Sequence, residues 1–220
     1  MINQPKLVIF DMDGTLLDTE RLSLAGMIEA AKIMGHEMPR DLFEQIMGRN
    51  AAYARRLIFE KYGADFDYDK AALLHAKYID DYFEKHGVPV KPGVEALLDK
   101  LEALGIKKCV ATSTDRERAT HKLTLANLAH RFEVIVGGDE VKESKPNPEI
   151  FLKAASYCNT APESCLVLED TIAGTEGAYR AGMGVIIIPD IAPLTDEIKS
   201  KALAICQDMN EVAGLLPQPF

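Results

Sequence analysis

The feature that most constrains the fold of this chain is an alternation of short apolar segments with segments of helical composition. The apolar segments are 6–10, 106–112, 132–138, 164–170 and 184–189. The helical segments that separate the later ones are 92–104, 115–129, 148–158 and 171–182. Short apolar strands that alternate with helices favour a parallel sheet covered by helices on both faces. The sequence therefore predicts an α/β protein with a central parallel sheet.

Residues 17–86 interrupt this alternation, because they contain no convincing strand and are rich in Ala, Leu, Met, Glu and Lys. Apolar residues recur there at helical spacing, for example Leu24, Met27, Ile28 and Ala31. We predict an all-helical cap subdomain of residues 17–86, inserted into a core domain of residues 1–16 and 87–220. The chain crosses between the two parts twice, which is a natural arrangement for a hinge.

Composition and charge argue against several kinds of partner. The chain has 34 acidic and 25 basic side chains, and a net charge of −9 disfavours binding to nucleic acid or to an anionic membrane. No apolar stretch approaches the roughly 20 residues of a membrane helix, and the N-terminus lacks a signal-peptide pattern. The four cysteines have no zinc-binding spacing, which predicts buried, reduced thiols. We expect a cytoplasmic protein that binds neither nucleic acid nor membranes.

Polar residues follow several predicted strands at the point where each strand ends. These residues are Asp11, Asp13, Thr112, Ser113, Thr114, Glu169 and Asp170. A further candidate, Lys145, lies between a turn and a helix. In an open parallel sheet, ligands bind at the carboxyl ends of the strands. If these strands are neighbours, all of these groups converge at one edge of the sheet.

The chemistry of these groups is complementary. Carboxylate oxygens suit Mg²⁺, and a carboxylate can attack phosphorus to form an aspartyl-phosphate. A second carboxyl two residues further on can protonate the leaving group and later activate water. Hydroxyls and backbone N–H groups before a helix make an anion site, and Lys145 supplies positive charge. A single Asp after a strand is usually a turn or cap residue, so only the combination indicates phosphoryl transfer.

Four stretches, taken in order, resemble the four motifs of the haloacid dehalogenase superfamily of phosphotransferases. They are DMDGTLLDTE at 11–20, VATST at 110–114, KPNPEIF at 145–151 and LEDTIAG at 168–174. The resemblance covers nearly the whole chain. It implies a Rossmann-like core of three layers with a small helical cap inserted after the first motif, which is also the organisation that the alternation indicates.

The resemblance also implies roles for individual residues. Asp11 would be the nucleophile and a Mg²⁺ ligand, and Asp13 the general acid and base, with its backbone carbonyl on the metal. Lys145 would neutralise the charge of the nucleophile and of the phosphoryl group. Asp170, together with Glu169, would complete the metal site.

For phosphate binding, the resemblance implies the hydroxyl of Thr112 and the backbone N–H of Ser113. In similar proteins the Lys–Pro bond of the third motif is often cis, so Lys145–Pro146 is a candidate cis peptide. Similar proteins with small caps are often monomers, and we expect a monomer here.

Three alternatives to a phosphatase remain. The dehalogenase branch typically lacks the second acid, so Asp13 favours phosphoryl chemistry. A β-phosphoglucomutase-like enzyme would carry Gly-x-x-Arg in the cap, but here Arg49 directly follows Gly48 and Ala51 occupies the third position. The His expected soon after the first motif is also absent, which weakens the mutase interpretation further. A non-catalytic module would lack at least one catalytic group, and every such group is present.

Residues of the cap are expected to set specificity, because the cap closes over the leaving group. The candidates are Glu20 and Arg49 as substrate-binding residues, followed by Asn50 and Lys77. The histidines are expected to be surface or cap residues: His36, His75, His86, His121 and His130. The sequence thus predicts a Mg²⁺-dependent phosphatase that hydrolyses a small phosphorylated metabolite, with a sugar phosphate as the first expectation and a phosphosugar mutase as the alternative.

Overall fold

The central element is a six-stranded parallel sheet, seen in a computed structural model that describes residues 4–191 and 193–217. The strands are β1 (Leu7–Phe10), β2 (Lys107–Ala111), β3 (Val134–Val136), β4 (Cys165–Glu169), β5 (Gly184–Ile187) and β6 (Ala204–Ile205). Their spatial order is β3-β2-β1-β4-β5-β6, and every neighbouring pair is parallel. This is the strand order of a Rossmann-type sheet, so the predicted α/β fold class is confirmed.

Helices cover both faces of this sheet. They are α5 (Val94–Ala103), α6 (Arg116–Leu125), α7 (Glu149–Tyr157), α8 (Ile172–Arg180), α9 (Asp196–Lys199) and α10 (Met209–Leu215). Val8 and Phe10 of β1 pack with α5, α6 and α10, whereas Leu7 and Ile9 pack with α7 and α8. Because successive side chains of a strand point to opposite faces, the apolar run of β1 fills two cores at once.

The segment between β1 and α5 folds into four helices. They are α1 (Glu20–Ile33), α2 (Arg40–Ile46), α3 (Ala51–Tyr62) and α4 (Tyr68–His86). These helices enclose an apolar cluster of their own, which includes Leu42, Ile46 and Leu57. A separate cluster is what an independent subdomain requires. The boundaries at residues 17 and 86 stay a prediction, and we use the names cap and core for this proposed division.

Two linkers join the cap to the core, and they lie side by side. The backbone N–H of Asp18 donates to the carbonyl of Pro89, and that of Lys91 donates to the carbonyl of Leu16. Leu17 and Val90 form an antiparallel bridge between these two hydrogen bonds. The paired linkers therefore form a short two-stranded ribbon, which limits how the cap can move.

The structure differs from the sequence interpretation mainly near chain ends and turns. The short elements β6, α9 and α10 were not expected. The helix predicted at 115–129 ends at Leu125, because Asn127 adopts a left-handed conformation with φ of 56°. In the described part of the chain, none of the helices combines the length and apolar character needed to cross a membrane. The four cysteines are buried and free, as predicted.

Candidate active site

The strand order brings the first, second and fourth motifs to one edge of the sheet. Strand β1 lies between β2 and β4, and Phe10 is in register with Val110 and Leu168. The residues that follow these three strands therefore leave the sheet side by side. They line or underlie a cavity of about 620 Å³ between the core and the cap. A topological switch point of this kind is where open α/β sheets bind ligands.

At the floor of this cavity, the buried ammonium group of Lys145 contacts two carboxylates. Its Nζ donates to Asp11 Oδ1, to Glu169 Oε1 at 2.8 Å and to the carbonyl oxygen of Ala111 at 3.2 Å. Burial opposes the charged form of Lys145, but the charges of Asp11 and Glu169 outweigh it and raise the pKa of the lysine. Burial raises the pKa of Asp11 from 3.8 to about 7, although Lys145 acts in the opposite direction. The Lys145–Pro146 bond is cis, as the family resemblance implies.

Glu169 is fully engaged by groups of the protein. Its Oε1 accepts from Lys145, and its Oε2 accepts from the N–H of Asp170 at 2.8 Å, the N–H of Thr171 at 2.7 Å and the hydroxyl of Thr171 at 2.9 Å. Gly174 of α8 permits this packing, because a Cβ atom there would lie 1.6 Å from Glu169 Oε1. This geometry does not fit the expectation that Glu169 is a metal ligand. It fits a role in holding Lys145 and the turn after β4.

Asp170, in contrast, has one carboxylate oxygen that accepts no hydrogen bond from the described residues. Its Oδ1 accepts from the hydroxyl of Thr15 at 2.8 Å, whereas Oδ2 is buried and receives no hydrogen bond from the described residues. Gly14 approaches this oxygen with a φ of +85°, and a Cβ atom there would lie 2.2 Å from Asp170 Oδ2. Burial, and then the charges of Glu169 and Asp11, raise the pKa of Asp170 well above its usual range. A buried anionic oxygen without a donor is a position that a cation would stabilise.

The oxygen atoms around Asp170 Oδ2 suit Mg²⁺, which needs few protein ligands, better than they suit a metal ion that is bound by side chains alone. Within residues 4–191 and 193–217, no three His, Cys, Asp or Glu side chains form a ready-made metal cluster. Mg²⁺ keeps several waters and is usually bound through one or two carboxylates plus substrate phosphate. Asp11 and Asp170 provide two carboxylates, and the backbone carbonyl of Asp13 is a further oxygen. These residues fit the implied cofactor.

Asp13 is held by donors from three different parts of the chain. Thr19 Oγ1 donates to Asp13 Oδ1 at 2.6 Å, Lys122 Nζ donates to the same oxygen at 2.7 Å, and Thr114 Oγ1 donates to Oδ2 at 2.8 Å. Burial by itself would raise the pKa of Asp13. The charge of Lys122 and these hydrogen bonds outweigh burial and lower the pKa instead. These contacts therefore favour the ionised form of the Asp13 carboxyl.

The second motif forms the wall of the cavity after β2. Thr112 is buried, its backbone N–H donates to the carbonyl of Val136 at 3.0 Å, and its hydroxyl oxygen accepts from the N–H of Thr114 at 3.2 Å. Ser113 Oγ donates to the carbonyl of Gly48 at 2.7 Å. The side chain of Ser113 thus ties the core to the cap and is not available to a ligand in this conformation.

The cap reaches the core through the loop between α2 and α3. Arg49 of this loop donates to the backbone carbonyl of Lys145, and its guanidinium lies 3.9 Å from the centroid of the Tyr53 ring. Glu20 of α1 is buried, and burial, followed by the charges of Asp13 and Asp11, raises its pKa well above the usual value. Both predicted cap residues line the cavity.

The two other cap candidates have different positions. Asn50 lines the cavity, but its side chain accepts from the N–H of Tyr53 at 3.1 Å and caps α3. Lys77 is exposed, pairs with Asp81 at 2.9 Å and is not among the cavity residues. The structure gives Lys77 no place in the site.

Sequence reasoning missed several residues that line the cavity. His75 lies on a cap helix, as expected of the histidines, but its Nε2 is 3.2 Å from Ser23 Oγ at the cavity wall. Burial, and then the charges of Lys122 and Arg118, lower the pKa of His75 to about 4. The spacing of His75 four residues before the buried Ile79 could have indicated an inward position. Lys122 has no comparable local signal.

The fold and the site together define a class of protein: Rossmann-type α/β enzymes with a lysine-paired carboxylate after the first strand and an acidic site at the switch point. The chain belongs to the haloacid dehalogenase-like hydrolase family, whose model matches residues 8–188. The family resemblance stated from the motifs is confirmed, and the protein is a hydrolase.

Known proteins extend this assignment. A phosphorylated carbohydrates phosphatase of Thermotoga maritima is 34% identical over 190 residues, which cover 80% of this chain and 81% of the relative. The crystal structure of CbbY from Rhodobacter sphaeroides in complex with xylulose-(1,5)bisphosphate has a TM-score of 0.83 at 24% identity and covers 97% of this chain and all of that chain. A β-phosphoglucomutase from Clostridium difficile has a TM-score of 0.78 at 22% identity, over 94% of this chain and 93% of that chain. At these identities the two structures show the fold alone.

Proposed function

We propose that this protein is a Mg²⁺-dependent phosphomonoesterase that acts on a small phosphorylated metabolite through phospho-Asp11. The observation that carries the proposal is the buried contact between Lys145 and Asp11 beneath a cavity that also receives Asp13. A carboxylate activated by a fixed cation, with a second carboxyl two residues away, is what a double-displacement hydrolysis needs. The phosphatase among the relatives supports the same reaction class.

In the first step, Asp11 Oδ2, which is not the oxygen that Lys145 binds, attacks phosphorus. The bond between phosphorus and the ester oxygen breaks, and the leaving oxygen takes a proton from Asp13. A phosphate dianion in the cavity opposes the effect of Lys122 and favours the protonated form of Asp13 that this step requires. The hydroxyl of Thr112 and the backbone N–H of Ser113 are the proposed phosphate ligands.

In the second step, the Asp13 carboxylate takes a proton from water as the water oxygen attacks phosphorus. The bond between phosphorus and Asp11 breaks, which releases inorganic phosphate, restores the Asp11 carboxylate and leaves Asp13 protonated for the next cycle. Lys145 stays paired with Asp11 throughout and limits the build-up of negative charge. The three donors to Asp13 stabilise the base form that this step uses.

Mg²⁺ would be held by the side chains of Asp11 and Asp170 and by the backbone carbonyl of Asp13. The orphaned Asp170 Oδ2 supports this assignment. When bound, the ion supplies positive charge that offsets the repulsion between the acids and the phosphoryl oxygens. Glu169 is assigned to Lys145 and not to the metal.

The size and the lining of the cavity support a substrate with a small leaving group. The lining combines the polar residues Glu20, Ser23 and His75 with the apolar residues Met27 and Phe43. Because the Thermotoga relative acts on phosphorylated carbohydrates, a sugar phosphate is the proposed substrate class. The net charge of −9 supports a protein that binds neither nucleic acid nor anionic membranes, and we include a cytoplasmic monomer in the proposal.

A panel of phosphorylated metabolites, assayed for phosphate release with Mg²⁺ and again with EDTA, tests this function. We expect hydrolysis of at least one sugar phosphate that EDTA abolishes, and a loss of about 10³-fold or more in Asp11→Asn. β-Glucose 1-phosphate with a catalytic amount of its bisphosphate provides the mutase control. Rapid formation of glucose 6-phosphate would replace the phosphatase with the mutase, and full activity of Asp11→Asn would remove Asp11 as the nucleophile.

A further inference from the structure

Lys122 contacts the proposed general acid from a distant part of the chain. It lies in the second half of α6, and its ammonium group is 2.7 Å from Asp13 Oδ1. Both side chains are mostly shielded, with 13% of Lys122 and 20% of Asp13 exposed. A charge-assisted hydrogen bond in such a setting is shorter and stronger than one between neutral groups. This pair is therefore unlike the exposed ion pairs on the outer faces of the helices.

The other two donors to Asp13 are neutral hydroxyls that do not lie on a helix of the core. Thr19 lies at the start of the cap, beyond the linker, and Thr114 lies in the loop after β2. Lys122 is on a helix of the core, so its position does not depend on the position of the cap. In any motion that opens the cap and displaces Thr19, Lys122 would be the donor to Asp13 Oδ1 that remains.

We propose that Lys122 is a positioning residue of the reaction, which aims the Asp13 carboxyl at the leaving oxygen through the contact with Oδ1. The proposal rests on the function proposed above. Without Lys122, rotation of Asp13 away from the leaving oxygen would slow proton transfer and leave the other parts of the site in place. The binding of the phosphoryl group by Thr112 and Ser113 does not involve Lys122.

If Lys122 positions Asp13, its loss should slow the hydrolysis of some substrates more than others, depending on whether the leaving group needs a proton. Phenolate is a strong base, and its departure from phenyl phosphate needs a proton, whereas 2,4-dinitrophenolate departs without one. The value of kcat/KM reports phosphoryl transfer to the enzyme, the step in which Asp13 donates its proton. Loss of Lys122 should therefore slow phenyl phosphate and leave 2,4-dinitrophenyl phosphate much less affected.

Arg118 provides the matched control, because it lies one turn before Lys122 on the same helix and also lines the cavity. Its guanidinium pairs with Asp80 of the cap at 3.6 Å and not with Asp13. Arg118→Met removes one positive charge from the same wall. We expect it to change kcat/KM for the two aryl phosphates by the same factor.

The experiment measures kcat/KM for both aryl phosphates in Lys122→Met, Lys122→Arg and Arg118→Met, and repeats Lys122→Met in an Asp13→Asn background. We expect Lys122→Met to lose at least about tenfold more on phenyl phosphate than on 2,4-dinitrophenyl phosphate. Lys122→Arg should restore most of this difference, and Lys122→Met should add little to Asp13→Asn. Equal losses on both substrates, or a loss confined to KM, would overturn the proposal.

A crystal structure of Lys122→Met provides a readout that needs no turnover. We expect the Asp13 carboxylate to rotate from the position it has in the unmodified protein, and an unchanged carboxylate would contradict the positioning role. If the unmodified protein releases phosphate from neither aryl phosphate, the rotation of the Asp13 carboxylate becomes the deciding measurement for Lys122, and the metabolite panel decides the proposed function separately. Lys122→Gln replaces Lys122→Met if the methionine variant does not fold.

Discussion

At the scale of single residues, the site depends on one buried cation that serves two buried acids. Lys145 contacts both Asp11 and Glu169, and its side chain has no exposed area. Removing one partner of a buried ion pair lowers stability more than replacing both partners with apolar residues, because the remaining charge stays desolvated and unpaired. The catalytic arrangement and the stability of the core are therefore linked through Lys145.

Lys145→Met should lower both stability and activity. Asp11 and Glu169 would then face each other without a cation, which should cost roughly 3–5 kcal/mol in the free energy of unfolding. Urea denaturation measures this cost. Lys153→Met is the matched control, because Lys153 Nζ donates to the backbone carbonyl of Glu140 and has no buried acid to neutralise. Equal costs for the two variants would contradict this explanation.

The raised pKa values of Asp11 and Asp170 predict how metal and pH act together. Because the folded pKa of Asp11 is about 7 and the ordinary value is 3.8, the folded state binds more protons than the unfolded state between these values. The stability contribution of this group is therefore present at low pH and is lost as the pH rises towards 7. A Mg²⁺ ion held by Asp11 and Asp170 would compete with protons for the same oxygens.

We expect Mg²⁺ to raise the Tm of the protein more at pH 8 than at pH 5, as measured by differential scanning calorimetry. Asp170→Asn should remove most of this difference, since it replaces the orphaned anionic oxygen with a neutral amide. A shift in Tm that is the same at both pH values would show that the cation binds elsewhere.

At the scale of elements, the linkers and one core loop form a charged hinge. Lys91 of the second linker is 2.9 Å from Asp190 Oδ1, in the loop after β5, and 3.2 Å from Asp18 Oδ1 of the first linker. Asp190 is nearly buried and also faces Arg21 of α1 at 3.8 Å. One lysine thus connects both linkers to the core.

Lys91→Met should loosen this hinge without unfolding either part. We expect faster limited proteolysis in the linkers and a higher KM, because the closed cavity becomes less populated. Lys77→Met is the control, since its exposed pair with Asp81 contributes little. Linkers that are cleaved at the same rate in Lys91→Met and in the unmodified protein would argue against the hinge.

The sequence predicts those parts of the site that follow directly from a strand. Asp11, Thr112 and Asp170 come one residue after β1, β2 and β4, so the sheet alone brings them together. The contacts of Arg49 with the Lys145 carbonyl and of Lys122 with Asp13 depend on how the cap and α6 pack, and no local pattern encodes that packing. The sequence leads us to expect Glu169 to bind the metal. The structure does not fit that role, because Lys145 and donors of the turn after β4 occupy both carboxylate oxygens of Glu169.

At the scale of the whole molecule, core and cap have separate apolar clusters and touch around the cavity. The contacts across the boundary are few and polar, such as Ser113 with the carbonyl of Gly48 and Arg118 with Asp80. Polar contacts of this kind allow two parts to separate and close again. Opening of the cavity would therefore leave both apolar clusters intact.

Excision of the cap tests whether the core folds on its own. Asp18 and Pro89 are hydrogen-bonded neighbours, so an Asn-Gly turn can replace residues 19–88. We expect the shortened chain to unfold cooperatively in urea while its phosphatase activity falls, because Thr19, Glu20 and Arg49 are lost. A chain of the same length with the turn inserted in reverse order, Gly-Asn, controls for the turn itself. Non-cooperative unfolding of both chains would show that the core depends on the cap.

The paired linkers have a consequence for the history of such a protein. Since the two linkers lie side by side, an insertion between Asp18 and Pro89 can be lengthened, shortened or replaced without shifting any core strand. Mutation can therefore explore new substrates in one part of the gene while the residues that handle phosphorus are inherited unchanged in the other.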